Sequence, residues 1–166
     1  MNKIQLRESI SLLANVGVVV GIFFLILEIN QNTDALYAES RQATLTASQA
    51  ELYKLLDNPD LELMVLRDEP LSKEDQLRLA TWLSALMRVR EFSWLQYRDG
   101  IMDEDQWSTE RQIIQWILSA PRTREWWENT SSYNFGENFR KFVDNEITDQ
   151  PATGEAWRAE MNWASR

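Results

Sequence analysis

The sequence predicts an all-α protein in which a single N-terminal transmembrane helix continues into a long stalk helix and is followed by a Trp-rich helical domain. The run from Ser9 to Leu27 contains no charged residue and consists mostly of Leu, Ile, Val and Phe. Between Gly21 and Pro59 no glycine or proline is present to end a helix. All eight Trp residues come after residue 80, in segments whose apolar residues recur at helical spacing, and no strand alternation appears.

Residues 9–29 are predicted to cross a membrane, with residues 1–8 as a short flank. About twenty residues at 1.5 Å per residue cross a hydrocarbon layer of roughly 30 Å, and the segment has that length. A buried core helix fits less well because core helices seldom stay apolar on every face. A cleaved signal peptide also fits less well, since its apolar part spans only about 7 to 15 residues and no small-x-small site closely follows Ile29. The lipid bilayer is therefore the first expected partner.

A stripe of small residues lies along one side of the predicted transmembrane helix. At 100° per residue, Ala14, Gly17, Gly21 and Glu28 fall on the same side. The two glycines form a small-xxx-small face, which lets two helix backbones approach closely in lipid. Glycine is also common in membrane helices generally. The favoured interpretation is association through this stripe, as a homo-oligomer or with other membrane proteins.

Two helices are predicted between the membrane segment and the Trp-rich part. Residues 30–57 extend the membrane helix as a stalk, with a narrow apolar seam formed by Leu36, Ala43, Ala47 and Ala50. The helical domain is predicted over residues 58–147. Asn58 fits a helix cap and Pro59 a first-turn proline, so a short helix is expected from Asp60 to Arg67.

The longest helix of the helical domain is predicted to follow Ser72. Ser72 and Asp75 form a variant of the capping box, and the apolar pattern persists to Tyr97, shortly before Gly100. One broad side of this helix carries the residues expected to face the core: Leu79, Trp82, Leu83, Leu86, Met87, Trp94 and Tyr97.

Arg90 lies at the centre of that apolar side. An unpaired buried charge costs several kcal/mol, so the guanidinium must pair internally, reach solvent along its apolar stem, or bind an acidic ligand. Because Arg is seldom buried without a partner, the first two interpretations are favoured. The third makes Arg90 and Trp94 the candidate ligand-binding residues, for a small organic anion.

Helix signals continue after Gly100. Asp103 to Gln106 is an N-terminal box that opens a helix through Leu118, and Pro121 begins a further short helix. The adjacent residues Trp126 and Trp127 cannot both face one core, so one is expected at an interface, in a groove or near the membrane surface.

The end of the chain is predicted to hold two more helices. One of them presents Phe135, Phe139, Phe142 and Val143 on a single side. Residues 148–166 are predicted as a C-terminal loop and a short helix that docks weakly or frays.

The stretch Leu25–Thr33, LILEINQNT, resembles the end of the membrane helix in a widespread group of small, uncharacterised, single-pass bacterial membrane proteins, which typically read L-x-L-Q-I-R-Q-N-T there. The stretch Trp94–Gly100, followed by Trp107, also resembles that group. The resemblance implies a single-pass protein of the bacterial inner membrane with an all-helical soluble part, and it implies no activity. The chain departs from the pattern at two positions, with Glu28 for Gln and Asn30 for Arg.

Two arguments about membrane orientation disagree. The arginine that the resemblance places just after the helix favours a cytoplasmic domain by the positive-inside rule, but Asn30 stands at that position here. Lys3 and Arg7 precede the helix, whereas Arg41 is the first basic residue after it, and this distribution favours the domain outside. Orientation therefore stays open, with a lean to the cytoplasm on the resemblance.

Composition excludes several classes of function. With 17 Lys and Arg against 26 Asp and Glu, the net charge is −9, which disfavours nucleic acid and anionic headgroups as partners. Cys and His are absent, which removes disulfides, thiolate nucleophiles, Ser-His triads and the usual zinc ligands. No glycine-rich phosphate loop or nucleophile elbow appears. We therefore expect no cofactor, no metal site and no catalytic residue of these types.

Three functions remain as hypotheses. The first is a non-enzymatic, membrane-anchored helical interaction or scaffold protein that self-associates through its transmembrane helix. The second is a sensor domain that binds a small organic anion through Arg90 and aromatic residues. The third and weakest is a hydrolase that works through two carboxylates in a shared cleft.

Overall fold

A computed structural model describes residues 3–147 and 149–162, with backbone alone for residues 3–12. The described residues form seven helices and no strand: α1 (Lys3–Asp57), α2 (Asp60–Leu66), α3 (Lys73–Arg98), α4 (Glu104–Ile117), α5 (Pro121–Asn134), α6 (Glu137–Ile147) and α7 (Glu155–Met161). The predicted all-α fold, with one long apolar N-terminal helix and a Trp-rich helical region after it, is confirmed. The absence of glycine and proline after Gly21 lets α1 run without interruption to Asp57.

The chain divides into two compact units, Met1–Arg41 and Gln42–Arg166. The first unit is the N-terminal part of α1, and its side chains from Leu13 to Asn32 are all exposed. This helix is long and apolar enough to cross a membrane, by length and composition. The rest of α1 belongs to the second unit, although residues 30–57 were predicted as one stalk.

Within the second unit, the packed side of α1 includes only Ala47 of the predicted seam. Ala47 is half-buried, but Ala43 and Ala50 are exposed. Thr44 is buried, and Ser48, Glu51 and Leu55 are half-buried. The predicted seam is therefore wrong at Ala43 and Ala50, because polar residues such as Ser48 and Glu51 belong to the packed side.

The short helix α2 buries Leu61, Met64 and Val65 against the core. The predicted cap at Asn58 is wrong, because its Nδ2 donates backwards to the carbonyl of Lys54 at 3.0 Å and no side chain caps α2. The Asp60 carboxylate instead accepts from Arg78 of α3 at 2.9 Å, which links the first turn of α2 to the adjoining helix.

Side-chain caps form at both other predicted positions. Ser72 Oγ accepts from the backbone N–H of Asp75 at 3.1 Å and opens α3, and Asp103 Oδ1 accepts from the N–H of Gln106 at 2.9 Å and opens α4. Each bond satisfies a backbone donor that has no partner within its own helix.

The core of the second unit is rich in aromatic side chains. Leu79, Trp82 and Leu83 of α3 are buried as predicted, and Trp94 and Tyr97 are half-buried. A chain of aromatic contacts crosses α3 to α6 through Trp94, Tyr97, Trp107, Trp127, Phe135, Phe139 and Phe142. Of the adjacent pair on α5, Trp127 is buried and donates to Asp144, while Trp126 is only half-buried.

The C-terminal helix α7 docks firmly, so the prediction that it docks weakly or frays is wrong as far as Asn162, where the described residues end. Trp157 is 1% exposed and stacks on Trp116 with ring centroids 3.8 Å apart. Gly154 opens α7 with φ of 74°, a conformation that favours glycine, and its N–H donates to the carbonyl of Ser119 at 2.8 Å. Trp157 is the buried residue of α7, so its indole anchors this short helix to the core.

Candidate functional site

Arg90 forms the centre of a buried charge cluster in the second unit. It lies on the apolar side of α3 and is 3% exposed. Its Nε donates to Glu110 Oε2 of α4 at 2.6 Å, and its Nη1 and Nη2 donate to Glu51 Oε2 of α1 at 3.2 and 3.4 Å. The internal pairing expected for a buried arginine is therefore present, and it links three helices.

The cluster holds two carboxylates for one guanidinium. Burial, opposed by the charge of Arg90 and assisted by the nearby charge of Glu110, raises the pKa of the Glu51 carboxyl to about 7. Glu51 Oε1 is buried and has no hydrogen-bond partner among the described residues. Near neutral pH, Glu51 thus exchanges between a charged and a neutral form, while the short Arg90–Glu110 contact forms the close ion pair.

A cavity of about 430 Å³ adjoins this cluster. Arg90 and Glu51 contribute to its wall, together with Glu62 of α2 and Glu160 of α7. Burial raises the pKa of Glu62, and the charge of Glu160 raises it further. Arg90, Glu51, Glu62 and Glu160 therefore meet at one cavity although they lie on four different helices.

Three tryptophans stand beside the cavity. Trp82 and Trp116 line it, and Trp157 packs against both, stacked on Trp116 and edge-on to Trp82 at 6.2 Å. The indole Nε1 atoms of all three are buried without a hydrogen-bond partner among the described residues. These rings give the cavity an aromatic wall and fix the position of α7.

Trp94, the other residue predicted with Arg90 as a ligand-binding pair, lies elsewhere. Its ring packs against Phe139 and Phe142 at centroid distances of 5.7 and 6.1 Å, and the Arg98 guanidinium lies 5.3 Å from its centre. It is not part of the cavity wall. The residues that accompany Arg90 there are Trp82 and Leu86, which precede it by two turns and one turn on the same side of α3.

Sequence reasoning missed Glu51, Glu62, Glu160 and Trp116 as neighbours of Arg90. Nothing in the local sequence marks them, because they come from four helices and are brought together only by packing. The one available signal was the i, i+4, i+8 spacing of Trp82, Leu86 and Arg90 on α3.

The small-residue stripe of α1 is fully exposed within the chain. Ala14, Gly17, Gly21 and Glu28 all have exposed side chains or surfaces. A Cβ placed on Gly17 or Gly21 would meet no described atom within 4 Å outside the adjoining turns of α1 itself. Neither glycine is therefore required for packing among the described residues.

No group of three or more metal-binding side chains is found within the described ranges. Comparison of the chain with models of protein families, with curated proteins and with solved structures gives no match.

Proposed function

We propose that the chain is a non-enzymatic, membrane-anchored helical interaction protein that self-associates through α1. The observation that carries the proposal is the exposed apolar surface of α1. Every large apolar side chain from Leu13 to Ile29 is exposed, from 41% for Leu27 to 71% for Leu13. An apolar surface this long and continuous is costly in water and is typical of a helix whose solvent is lipid.

The small-residue stripe supports association as the role of the anchor. In lipid, helices gain little from burying apolar surface against each other, so close backbone packing decides which faces meet. Gly17 and Gly21 are one turn apart, and no other described part of the chain fills the space beside them. We also propose that the membrane is the bacterial inner membrane. In it, α1 would associate with a second copy of the chain or with another membrane protein.

The sensor alternative draws support from the cavity beside Arg90. A volume of about 430 Å³ lies within the range of small-molecule sites, which is roughly 300–1,000 Å³. In this alternative the Arg90 guanidinium binds an organic anion, but it already donates to Glu51 and Glu110. A ligand of that charge would compete with two internal carboxylates.

The hydrolase alternative gains less from the same geometry. Glu51 has the raised pKa of a general acid and shares the cavity with other carboxyls. However, its Oε2 accepts from Arg90 and its Oε1 is shielded from solvent. A general acid must reach the leaving group within hydrogen-bond distance, and Glu51 is not presented for that role.

Crosslinking of the chain in membranes tests the proposal. We expect Gly17→Leu with Gly21→Leu to reduce the crosslinked dimer strongly, because the added side chains separate the two backbones. Val19→Leu with Phe23→Leu is the matched control: it changes two residues at the same spacing on the opposite side of α1 and should leave the dimer unchanged. Equal crosslinking of the glycine variant and the wild type would remove the stripe from the interface.

A further inference from the structure

The cavity beside Arg90 is built from parts of the second unit that are distant in sequence. α1, α2, α3, α4 and α7 all contribute to its wall, and much of that wall is aliphatic, including Leu52, Leu55 and Ile113. The indoles of Trp82 and Trp116 complete the apolar part. The cavity thus has the usual composition of a small-molecule site, with mostly apolar walls and a few polar groups.

Acidic side chains outnumber basic ones in the cavity wall. Three are acidic, Glu51, Glu62 and Glu160, and one is basic, Arg90. The positive charge of Arg90 is already compensated, because Glu51 and Glu110 both accept from its guanidinium and Glu110 lies outside the wall. The uncompensated charge that a ligand would meet is therefore negative.

Glu62 and Glu160 carry that charge. No cation pairs with either of them among the described residues; Glu62 is half-buried and Glu160 is exposed, and both line the cavity. Two carboxylates of this kind are stabilised when a cation enters between them or beside them.

We infer that the cavity binds an organic monocation with an apolar body, such as a quaternary ammonium or a protonated amine. Its charged end lies at Glu62 and Glu160, and its apolar body lies against the leucines and tryptophans of the wall. The charge of this ligand is opposite to that of the organic anion predicted from Arg90 alone. The inference stands on the second unit and does not depend on membrane anchoring or self-association.

Three probes of similar shape and different charge test this inference. Benzyltrimethylammonium is the cation, neopentylbenzene is its neutral analogue with carbon in place of nitrogen, and benzylphosphonate is an anion. Each is titrated into the full chain in a nonionic maltoside detergent, and binding is followed by calorimetry and by Trp fluorescence. We expect saturable binding of the cation, weaker binding of the neutral analogue and the weakest binding of the anion.

Two double variants assign the binding to the carboxylates. Glu62→Gln with Glu160→Gln should lower the affinity for the cation by about tenfold or more, as loss of a close charge pair does. The affinity for the neutral analogue should change by less than about twofold. Glu74→Gln with Glu155→Gln removes the same charge from exposed positions outside the cavity wall and should leave all three affinities unchanged.

The glutamine substitutions relieve a like-charge contact, so the cavity variant should fold, and its unfolding midpoint is measured alongside. The inference is overturned if the anion binds as tightly as the cation, if the cation does not saturate, or if the Glu62 and Glu160 variant binds the cation like the wild type.

Discussion

Arg90 donates through Nε to Glu110 Oε2 at 2.6 Å and so joins the centre of α3 to α4 inside the second unit. Glu51 of α1 accepts from the other end of the same guanidinium. A buried arginine in an apolar helix face is therefore neutralised by the fold itself, with one carboxyl more than charge balance requires. A pH dependence of stability at Glu51 follows from that surplus.

Arg90→Met should destabilise the second unit by about 3–5 kcal/mol, because it leaves two acids, each only 12% exposed, without their cation. Urea unfolding of the chain in detergent, followed by Trp fluorescence, measures the loss. Arg98→Met is the control, since Arg98 is half-exposed, pairs with its neighbour Asp99 and should cost about 1 kcal/mol or less. Similar losses for the two variants would show that the internal ion pairs are not a major contribution.

Glu51→Gln should remove a pH dependence of stability between about pH 4.5 and 7. The folded chain holds the Glu51 proton up to about pH 7 and the unfolded chain only to about 4.5, so the folded state binds more protons in this window. The stability that this group contributes is complete below the lower value and is lost as the pH rises through the upper one.

Unfolding free energies of the wild type and Glu51→Gln at pH 5, 6, 7 and 8 provide the measurement. The variant should gain stability relative to the wild type as the pH rises. Parallel profiles would mean that the Glu51 pKa is not raised by folding.

Trp157→Ala should destabilise the second unit by about 3–5 kcal/mol, the usual cost of removing a buried large aromatic side chain. The variant loses the stack on Trp116 and the contact that holds α7. Tyr133→Ala is the control, because Tyr133 is 88% exposed and its loss should change stability by less than about 0.5 kcal/mol. A small effect of Trp157→Ala in denaturant unfolding would mean that α7 is not held by this indole.

Asp103→Ala should cost about 1 kcal/mol, because the cap of α4 is lost and the N–H of Gln106 is left without its acceptor. Asp105→Ala removes the same charge from the first turn of α4 and leaves the cap in place, so it should cost less. Thermal unfolding by circular dichroism compares the two variants. If Asp105→Ala is the more harmful, charge near the helix terminus matters more than the cap.

Most of the fold was predictable because its determinants are local. The uninterrupted run after Gly21 predicted that α1 reaches Asp57, and the boxes at Ser72 and Asp103 predicted where α3 and α4 begin. Each of these signals depends on residues within one or two turns. The failure at Asn58 is equally local. Its side chain could bond forward to the start of α2 or backward to α1, and its Nδ2 donates backward to the carbonyl of Lys54.

Packing between helices was predicted less well. Glu51 lies on the packed side of α1, where its carboxylate accepts from Arg90, thirty-nine positions later in the chain. Trp157 is buried because Trp116 and Trp82 provide its surroundings, and no signal within residues 148–166 reports that. The candidate cavity depends on such distant contacts, so the sequence yielded Arg90 and missed the acids around it.

Retention of the full chain in membranes after an alkaline carbonate wash tests the central claim most directly. We expect the wild type to remain with the lipid. Val19→Lys with Phe23→Lys should release it, since each charge at the centre of a membrane helix costs about 2.5–3.5 kcal/mol. Leu45→Lys with Leu56→Lys adds the same charge at exposed positions outside the apolar segment and should leave the chain in the membrane fraction. Recovery of the wild-type chain in the supernatant would contradict membrane anchoring through α1.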